Sequence, residues 1–254
     1  VFITGFVTGD ADLNDDQAFT ETGEDSSDPD YGGKDIIVAK YAPDATLVWS
    51  YRLGGAGEDE GLSIITDSLG DVTVTGFVTG DADLNGDAEI TTGNGEDSGA
   101  GGKDVFISKF YSDGTFWWSK RLGAGSDDKG TCVTIDSSDQ SVVVAGLVNG
   151  IADISGDGDT SDNGETLSII NGGTDMFVSK FAADGTYSTY SMRLGGTAEE
   201  LTPAVGVDGS QNIVVVFTTN GNIDVDFSGM AKNIPIAEKT TSTYGSDDII
   251  LAKY

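Results

Sequence analysis

Four stretches of the chain put oxygen-bearing side chains on alternate positions. They are Asp12-x-Asn14-x-Asp16, Asp83-x-Asn85-x-Asp87, Asp153-x-Ser155-x-Asp157 and Asp224-x-Asp226-x-Ser228. A glutamate follows each first aspartate after 12 to 14 residues, at Glu24, Glu96, Glu165 and Glu238. Alternating oxygen donors closed by a distal carboxylate suit a hard cation with six to eight oxygen ligands, and a late bidentate glutamate plays that part in EF-hand loops. Calcium (Ca2+) is the expected ion. Magnesium prefers small octahedral sites that keep several waters, and soft metals want thiolates and imidazoles. The chain has one cysteine and no histidine. A competing reading is a strand with its polar face in water, since Ala11-Asp12-Leu13-Asn14 also alternates with period two. The fourth set is the weakest, because its stretch, residues 222–244, holds three acids beside Lys232 and Lys239.

These sets lie in four long excursions, residues 10–31, 81–100, 151–171 and 222–244. Connections beyond about 12 to 15 residues are uncommon in compact domains and usually carry function or disorder. The first three hold nine, six and five acids, together 20 of the chain's 43, within 63 of its 254 residues. Carboxylates so crowded repel one another unless something positive sits among them.

The wider composition excludes much. A formal charge of −30, from 43 acids against 13 bases, repels nucleic-acid phosphate, so no nucleic acid is expected as a partner. The apolar runs are strand-sized, so no membrane span is expected. Without histidine, the Ser-His and Cys-His nucleophile pairs cannot form, and no catalytic residue is expected. Cys132, in the run Thr131-Cys132-Val133-Thr134-Ile135, reads as a small buried side chain. The 33 aspartates outnumber the 10 glutamates, which favours turns and oxygen-ligand loops over helices.

Internal repetition sets the architecture. Residues 4–14 return at 75–85 and more loosely at 145–155 and 218–226. The block Gly33-Lys34-Asp35-Ile36-Ile37-Val38-Ala39-Lys40-Tyr41 recurs at 102–110, 173–181 and 246–254, and Arg52-Leu53-Gly54 recurs at Arg121 and Arg193. Each unit reads as four short strands; in the second they are residues 62–66, 72–78, 105–110 and 115–121, with Asp-Gly and Asp-Ser turns between them. An all-β β-propeller of four-stranded antiparallel blades, repeating about every 70 residues, is the expected fold. Its units are an incomplete blade at 1–55, blades at 56–126 and 127–197, and an incomplete blade at 198–254, in a chain expected to be part of a longer one.

The segment Gly102-Lys103-Asp104-Val105-Phe106-Ile107-Ser108-Lys109-Phe110, followed by an Asp-Gly turn, Trp118-Ser119-Lys120-Arg121-Leu122-Gly123 and Ser141-Val142-Val143-Val144-Ala145-Gly146, resembles the bacterial SBBP repeat. The resemblance implies a propeller of secreted and surface proteins and carries no shared catalytic motif. Nine of the 13 bases occupy repeat-equivalent positions and are expected to form cross-strand or blade-to-blade pairs with Asp35, Asp104, Asp175 and Asp248, each exposed pair contributing about 0 to 1 kcal/mol. Trp49, Trp118 and Tyr190 are expected to fill the wedges between blades, with Trp117 facing the other way.

The expected function is a calcium-stabilised, non-catalytic adhesion or recognition scaffold, secreted or on a bacterial surface, with an extracellular protein or glycan as ligand. The alternatives are a structural subunit of a cell-surface fibre or coat, joined through incomplete terminal blades, and a carbohydrate-active enzyme using two carboxylates about 5 to 9.5 Å apart.

Overall fold

The computed structural model describes residues 1–13, 31–90, 95–96, 101–123, 125–162, 165, 173–196, 199–219, 223–224 and 248–254. Among them the chain is all-β, with no helix. The first unit contributes β1 (Phe2–Val7), β2 (Asp35–Tyr41) and β3 (Leu47–Gly55). The second contributes β4 (Glu60–Thr66), β5 (Val72–Thr79), the short β6 (Ala82–Asp83), β7 (Lys103–Phe110) and β8 (Phe116–Leu122). The third contributes β9 (Lys129–Asp136), β10 (Ser141–Asn149), β11 (Thr174–Phe181) and β12 (Tyr187–Gly196). The fourth contributes β13 (Glu200–Val207), β14 (Ile213–Thr219), the short β15 (Ile223–Asp224) and β16 (Asp248–Lys253).

Each unit is an antiparallel meander, in the orders β1-β2-β3, β4-β5-β7-β8, β9-β10-β11-β12 and β13-β14-β16. Turn chemistry explains the hairpins. Asp44, Asp113 and Asp184 each accept the amide two residues on, from Thr46, Thr115 and Thr186 at 3.1, 2.9 and 3.0 Å. Gly114 and Gly185, at φ 96° and 83°, supply the left-handed residue those turns need. Register repeats as well: Leu53 opposes Ile36, Leu122 opposes Val105 and Leu194 opposes Met176. The four strands expected in the second unit all form, each shifted by two residues or fewer at its ends.

Successive sheets stack face to face across apolar layers. Ile36, Val38 and Leu53 of the first sheet meet Val72, Val74 and Phe106 of the second. Val105, Ile107 and Leu122 of the second meet Val142, Val144 and Phe177 of the third. Met176, Val178 and Leu194 of the third meet Ile213, Val215 and Phe217 of the fourth. Strands β5, β7 and β10 are buried on both faces; β10 accordingly runs apolar from Val142 to Val148, whereas β5 alternates valine with the buried Thr73 and Thr75. Trp118 sits in the second layer and donates its indole N–H to Ala183 O at 3.0 Å, while Trp49 packs on the first layer. Trp117 is partly buried, stacked on Tyr111 with ring centroids 4.8 Å apart and with the Lys109 ammonium 4.6 Å from its ring centre. Cys132, expected to be buried, is only half-buried, with its thiol 3.7 Å from Val205 O. No helix among the described residues is long and apolar enough to cross a membrane.

Phe177 is fully buried between the second and third sheets. Phe177→Ala is expected to lower the unfolding free energy by about 3 to 5 kcal/mol. Leu69→Ala, at a side chain that is 75% exposed, should change it by no more than about 0.5 kcal/mol. Denaturant titration of the two variants beside the parent measures both.

Candidate functional site

The excursions do more than leave one sheet and return to it. After β5, β6 crosses to the preceding sheet, where Asp83 pairs with Gly54 and Ala82 with Gly55 of β3. A bridge from Asp153 to Gly123 does the same for the second and third units, and β15 pairs Asp224 with Gly195 and Ile223 with Gly196 of β12. The first aspartate of three excursions therefore lies opposite a glycine of the Arg-Leu-Gly block. Gly54 and Gly123 have φ of 133° and 124°, and a Cβ at either would lie about 3 Å or less from two buried carboxylates. Only glycine fits there.

Each first aspartate then organises the turn that follows it. Asp83 accepts the amides of Asn85 and Gly86 on Oδ1, at 2.9 and 2.7 Å, and that of Ala88 on Oδ2, at 2.8 Å. Asp153 accepts those of Ser155 and Gly156 on Oδ1, at 3.0 and 2.6 Å, and that of Gly158 on Oδ2, at 2.8 Å. The pattern, two, three and five residues on, is the same in both units. It needs a left-handed residue at the fifth position, where Ala88 has φ 63° and Gly158 φ 92°. Glycine holds the corresponding place in the EF-hand loop, the sixth, where the chain turns sharply.

The distal glutamates fold back onto the same turns. Glu96, fully buried, accepts the Leu84 amide at 3.2 Å. Glu165, also fully buried, accepts the amides of Ile154 and Ser155 at 2.9 and 3.0 Å on one oxygen and that of Asp162 at 3.0 Å on the other. Burial pushes the Asp83 carboxyl up to about 6 against its amide bonds, and the Glu96 charge adds to the rise. The Glu165 carboxyl is raised too, by burial first and then by the Asp153 charge.

The structure thus joins Asp83 with Glu96, and Asp153 with Ser155 and Glu165. Asp87 and Asp157 stay on the exposed rim, where they accept the amides of Glu89 and Asp159. Asn85 lies between, its Oδ1 accepting the Asp87 amide at 2.8 Å and its Nδ2 donating to Asp87 Oδ2 at 3.1 Å. Among the described residues no three acidic, histidine or cysteine side chains stand close enough to hold a metal ion together. Asp12 is half-buried just after β1. Asp224 is described only through its pairing with Gly195, and Asn14, Asp16, Glu24, Asp226 and Glu238 lie outside the described residues.

The recurring arginines form the expected cross-strand pairs with Asp35, Asp104 and Asp175, and these pairs are buried. Arg52 donates to Asp35 Oδ2 at 2.6 and 3.1 Å, Arg121 to Asp104 Oδ2 at 2.8 and 3.1 Å, and Arg193 to Asp175 Oδ2 at 2.7 and 3.0 Å. All six side chains are almost wholly buried. Each guanidinium also reaches a carbonyl at or near an excursion: Gly9, Gly95 and Gly150. Lys109, fully buried, pairs with Asp67 at 3.2 Å, and Lys180 with Asp136 at 2.8 Å.

A second set of buried acids went unremarked in the sequence. Asp59 accepts the amides of Gly55 at 2.8 Å and Thr79 at 2.7 Å, and Asp128, 69 residues on, accepts that of Asn149 at 2.8 Å. Burial pushes the Asp59 carboxyl up to about 6, and the nearby Asp35 charge adds to the rise. The signal was available as an acid just before the first strand of successive units, in Glu58-Asp59-Glu60 and Asp127-Asp128.

No family model matches the chain. It is 26% identical over 196 residues, 73% of its own length, to the regulatory protein FlaEY of Caulobacter vibrioides, of which the match spans 18%. It is 23% identical over 121 residues, 44% of its length, to an uncharacterized WD repeat-containing protein of Acanthamoeba polyphaga mimivirus, of which the match spans 9%. The chain therefore spans less than a fifth of either relative.

Asp59 yields a signed expectation. Its folded pKa of about 6 exceeds the unfolded value of about 3.9, so its stabilising proton is fully held below pH 4 and lost as pH rises through 6. Between pH 7 and pH 5 this group should add about 1 kcal/mol to stability. Asp59→Asn removes that part of the slope, so parent-minus-variant stability, measured by urea unfolding at both pH values, should be larger at pH 5.

Proposed function

We propose that the chain is a portion of a β-propeller of the SBBP type that works outside the cell as a calcium-stabilised, non-catalytic adhesion or recognition scaffold. Stacked antiparallel meanders of equal register, and the likeness to a WD repeat-containing protein, support the propeller. One observation carries the calcium reading. In two units an aspartate is fixed by amides two, three and five residues on, and a buried glutamate returns from 12 or 13 residues away to the same turn.

The donors suit the ion in kind: Asp83, Asn85, Asp87 and Glu96 in one unit and Asp153, Ser155, Asp157 and Glu165 in the next would supply hard oxygens. They suit it in part by position, since the aspartate–glutamate pairs are assembled and the rim aspartates are exposed. Asp83 would be held by its amides in the orientation it needs, and Glu96 would close the turn from the other side. Calcium would supply charge neutralisation for two carboxylates that otherwise share a buried turn, and its binding would displace the proton that burial favours on Asp83. The scaffold role rests on repetition: the carboxylates recur unit by unit, whereas a catalytic pair breaks such a repeat.

Thermal unfolding with excess calcium and with a chelator tests this. Binding to the folded form should raise stability by RT ln(1 + [L]/Kd), about 2.7 kcal/mol at a hundredfold excess over Kd. Asp83→Asn and Asp153→Asn should each shrink the difference. An unchanged midpoint in the parent removes the calcium reading and leaves the sheets as they are.

A further inference from the structure

Tyr51, Lys120 and Met192 each precede the repeated arginine, and they share one register, opposite Val38, Ile107 and Val178. In the first two units this position touches the acid-rich turn of the unit that follows. A Cβ at Gly86 would run into the Tyr51 ring, and one at Gly156 would lie 3.4 Å from Lys120 Cδ. Gly86 and Gly156 correspond: each is the third residue after the first aspartate, and each donates its amide to that aspartate, at 2.7 and 2.6 Å. The same contact between units therefore presents a neutral ring to the second unit's turn and a cation to the third's.

The lysine departs from the repeat. Nine of the 13 bases recur from unit to unit, and Lys120 is not one of them. It is half-buried, and its ammonium donates to Gly156 O at 3.3 Å. Gly156 lies between Ser155 and Asp157, in the middle of the third turn's candidate donors. That turn carries the buried Asp153 and Glu165 and the exposed Asp157. Tyr51 brings no charge to the matching turn. Its ring stacks on Phe110, with centroids 5.2 Å apart, and its hydroxyl donates to Gly114 O at 2.8 Å.

Resting on the calcium reading above, we propose that Lys120 is the third turn's own counter-cation and sets that turn's affinity for calcium below that of the second. An ammonium fixed at Gly156 offsets part of the charge of Asp153, Asp157 and Glu165 before any ion arrives, and it repels a divalent ion that enters. A unit charge about 8 Å from such an ion in water changes its affinity roughly fivefold, more where water is excluded and less at high salt. Two turns of one backbone pattern thus fill in sequence as calcium rises, the turn at Asp83 before the turn at Asp153.

Calorimetric titration of calcium into the whole chain and into its Lys120→Gln and Lys120→Arg variants tests this. Glutamine keeps an N–H for Gly156 O and loses the charge, whereas arginine keeps both. Lys120→Gln should tighten binding at one site about fivefold, and Lys120→Arg should leave it as in the parent. Adding Asp153→Asn to Lys120→Gln should abolish the gain, and adding Asp83→Asn should not, which places the gain in the third turn. Unchanged binding in Lys120→Gln, or a gain that survives Asp153→Asn, overturns the inference. A second arm needs no calcium. In chelator at low salt, Lys120→Gln should melt about 2 °C below Lys120→Arg, and the gap should close as sodium chloride is added. Absence of calcium binding in every chain removes the calcium reading and the order of filling with it, and the gap in chelator then stands for the counter-cation; equal midpoints there overturn it.

Discussion

The buried arginine–aspartate pair of the first three sheets is the interaction on which the rest of the structure depends. Removing two charges from water costs several kcal/mol apiece unless geometry and further hydrogen bonds offset it. Here the guanidinium contacts one aspartate oxygen through two nitrogens, and its remaining nitrogen reaches a backbone carbonyl of an excursion. One side chain therefore ties the outer strand, the strand beside it and the connecting loop together. That knot holds the following glycine where only hydrogen can stand, and opposite the glycine the next unit's aspartate pairs through its backbone. The acid-rich turn begins at that aspartate, so its placement is inherited from a pair of charges in the neighbouring sheet.

The excursions are consequently clasps between units as well as holders of carboxylates. Ala82 and Leu84, on either side of Asp83, are wholly buried in the layer between the first and second sheets, and Ala152 and Ile154 are buried likewise around Asp153. Alternation along these segments thus has one meaning for the apolar residues, which join the core, and another for the acids, which turn back on their own loop. In Ala82-Asp83-Leu84-Asn85 the strand is two residues long, and its aspartate, buried rather than facing water, caps a turn.

Much of this was legible in the sequence because repetition makes local signals redundant. The strands of the second unit, the Asp-Gly turns and the fourfold block that runs from Asp35, Asp104, Asp175 or Asp248 to a lysine five residues on follow from β-branched runs and from aspartate's habit of accepting an amide two residues on. The pairing of the acid sets was legible in part. Spacing brings Glu96 to the Asp83 turn, but it says nothing of the amides that occupy both carboxylates, nor that Asp87 would remain on the rim. The arginine–aspartate pairing was legible from its recurrence, but not its burial, which depends on the stacking of the sheets. The crossing of Ala82–Asp83 to the preceding sheet was not legible at all, since a two-residue strand has no period to detect and its partner lies in a different unit.

The distribution of charge follows from the same arrangement. A formal −30 must be spread so that self-repulsion does not open the stack, and the apolar layers leave no room for it between the sheets. Some acids are spent as fixed partners of buried bases: Asp35, Asp104 and Asp175 face arginines, and Asp67 and Asp136 face lysines. Others are spent on backbone amides, which are neutral and so stabilise a carboxylate without cancelling its charge. Asp59 and Asp83 belong to this second group, and it is they whose carboxyls burial pushes up to about 6, although Asp35 is raised as well despite its arginine. Amide-capped acids are therefore where uncompensated charge accumulates as the repeats are stacked. In the loop at Asp83 a second carboxylate, Glu96, adds to that charge.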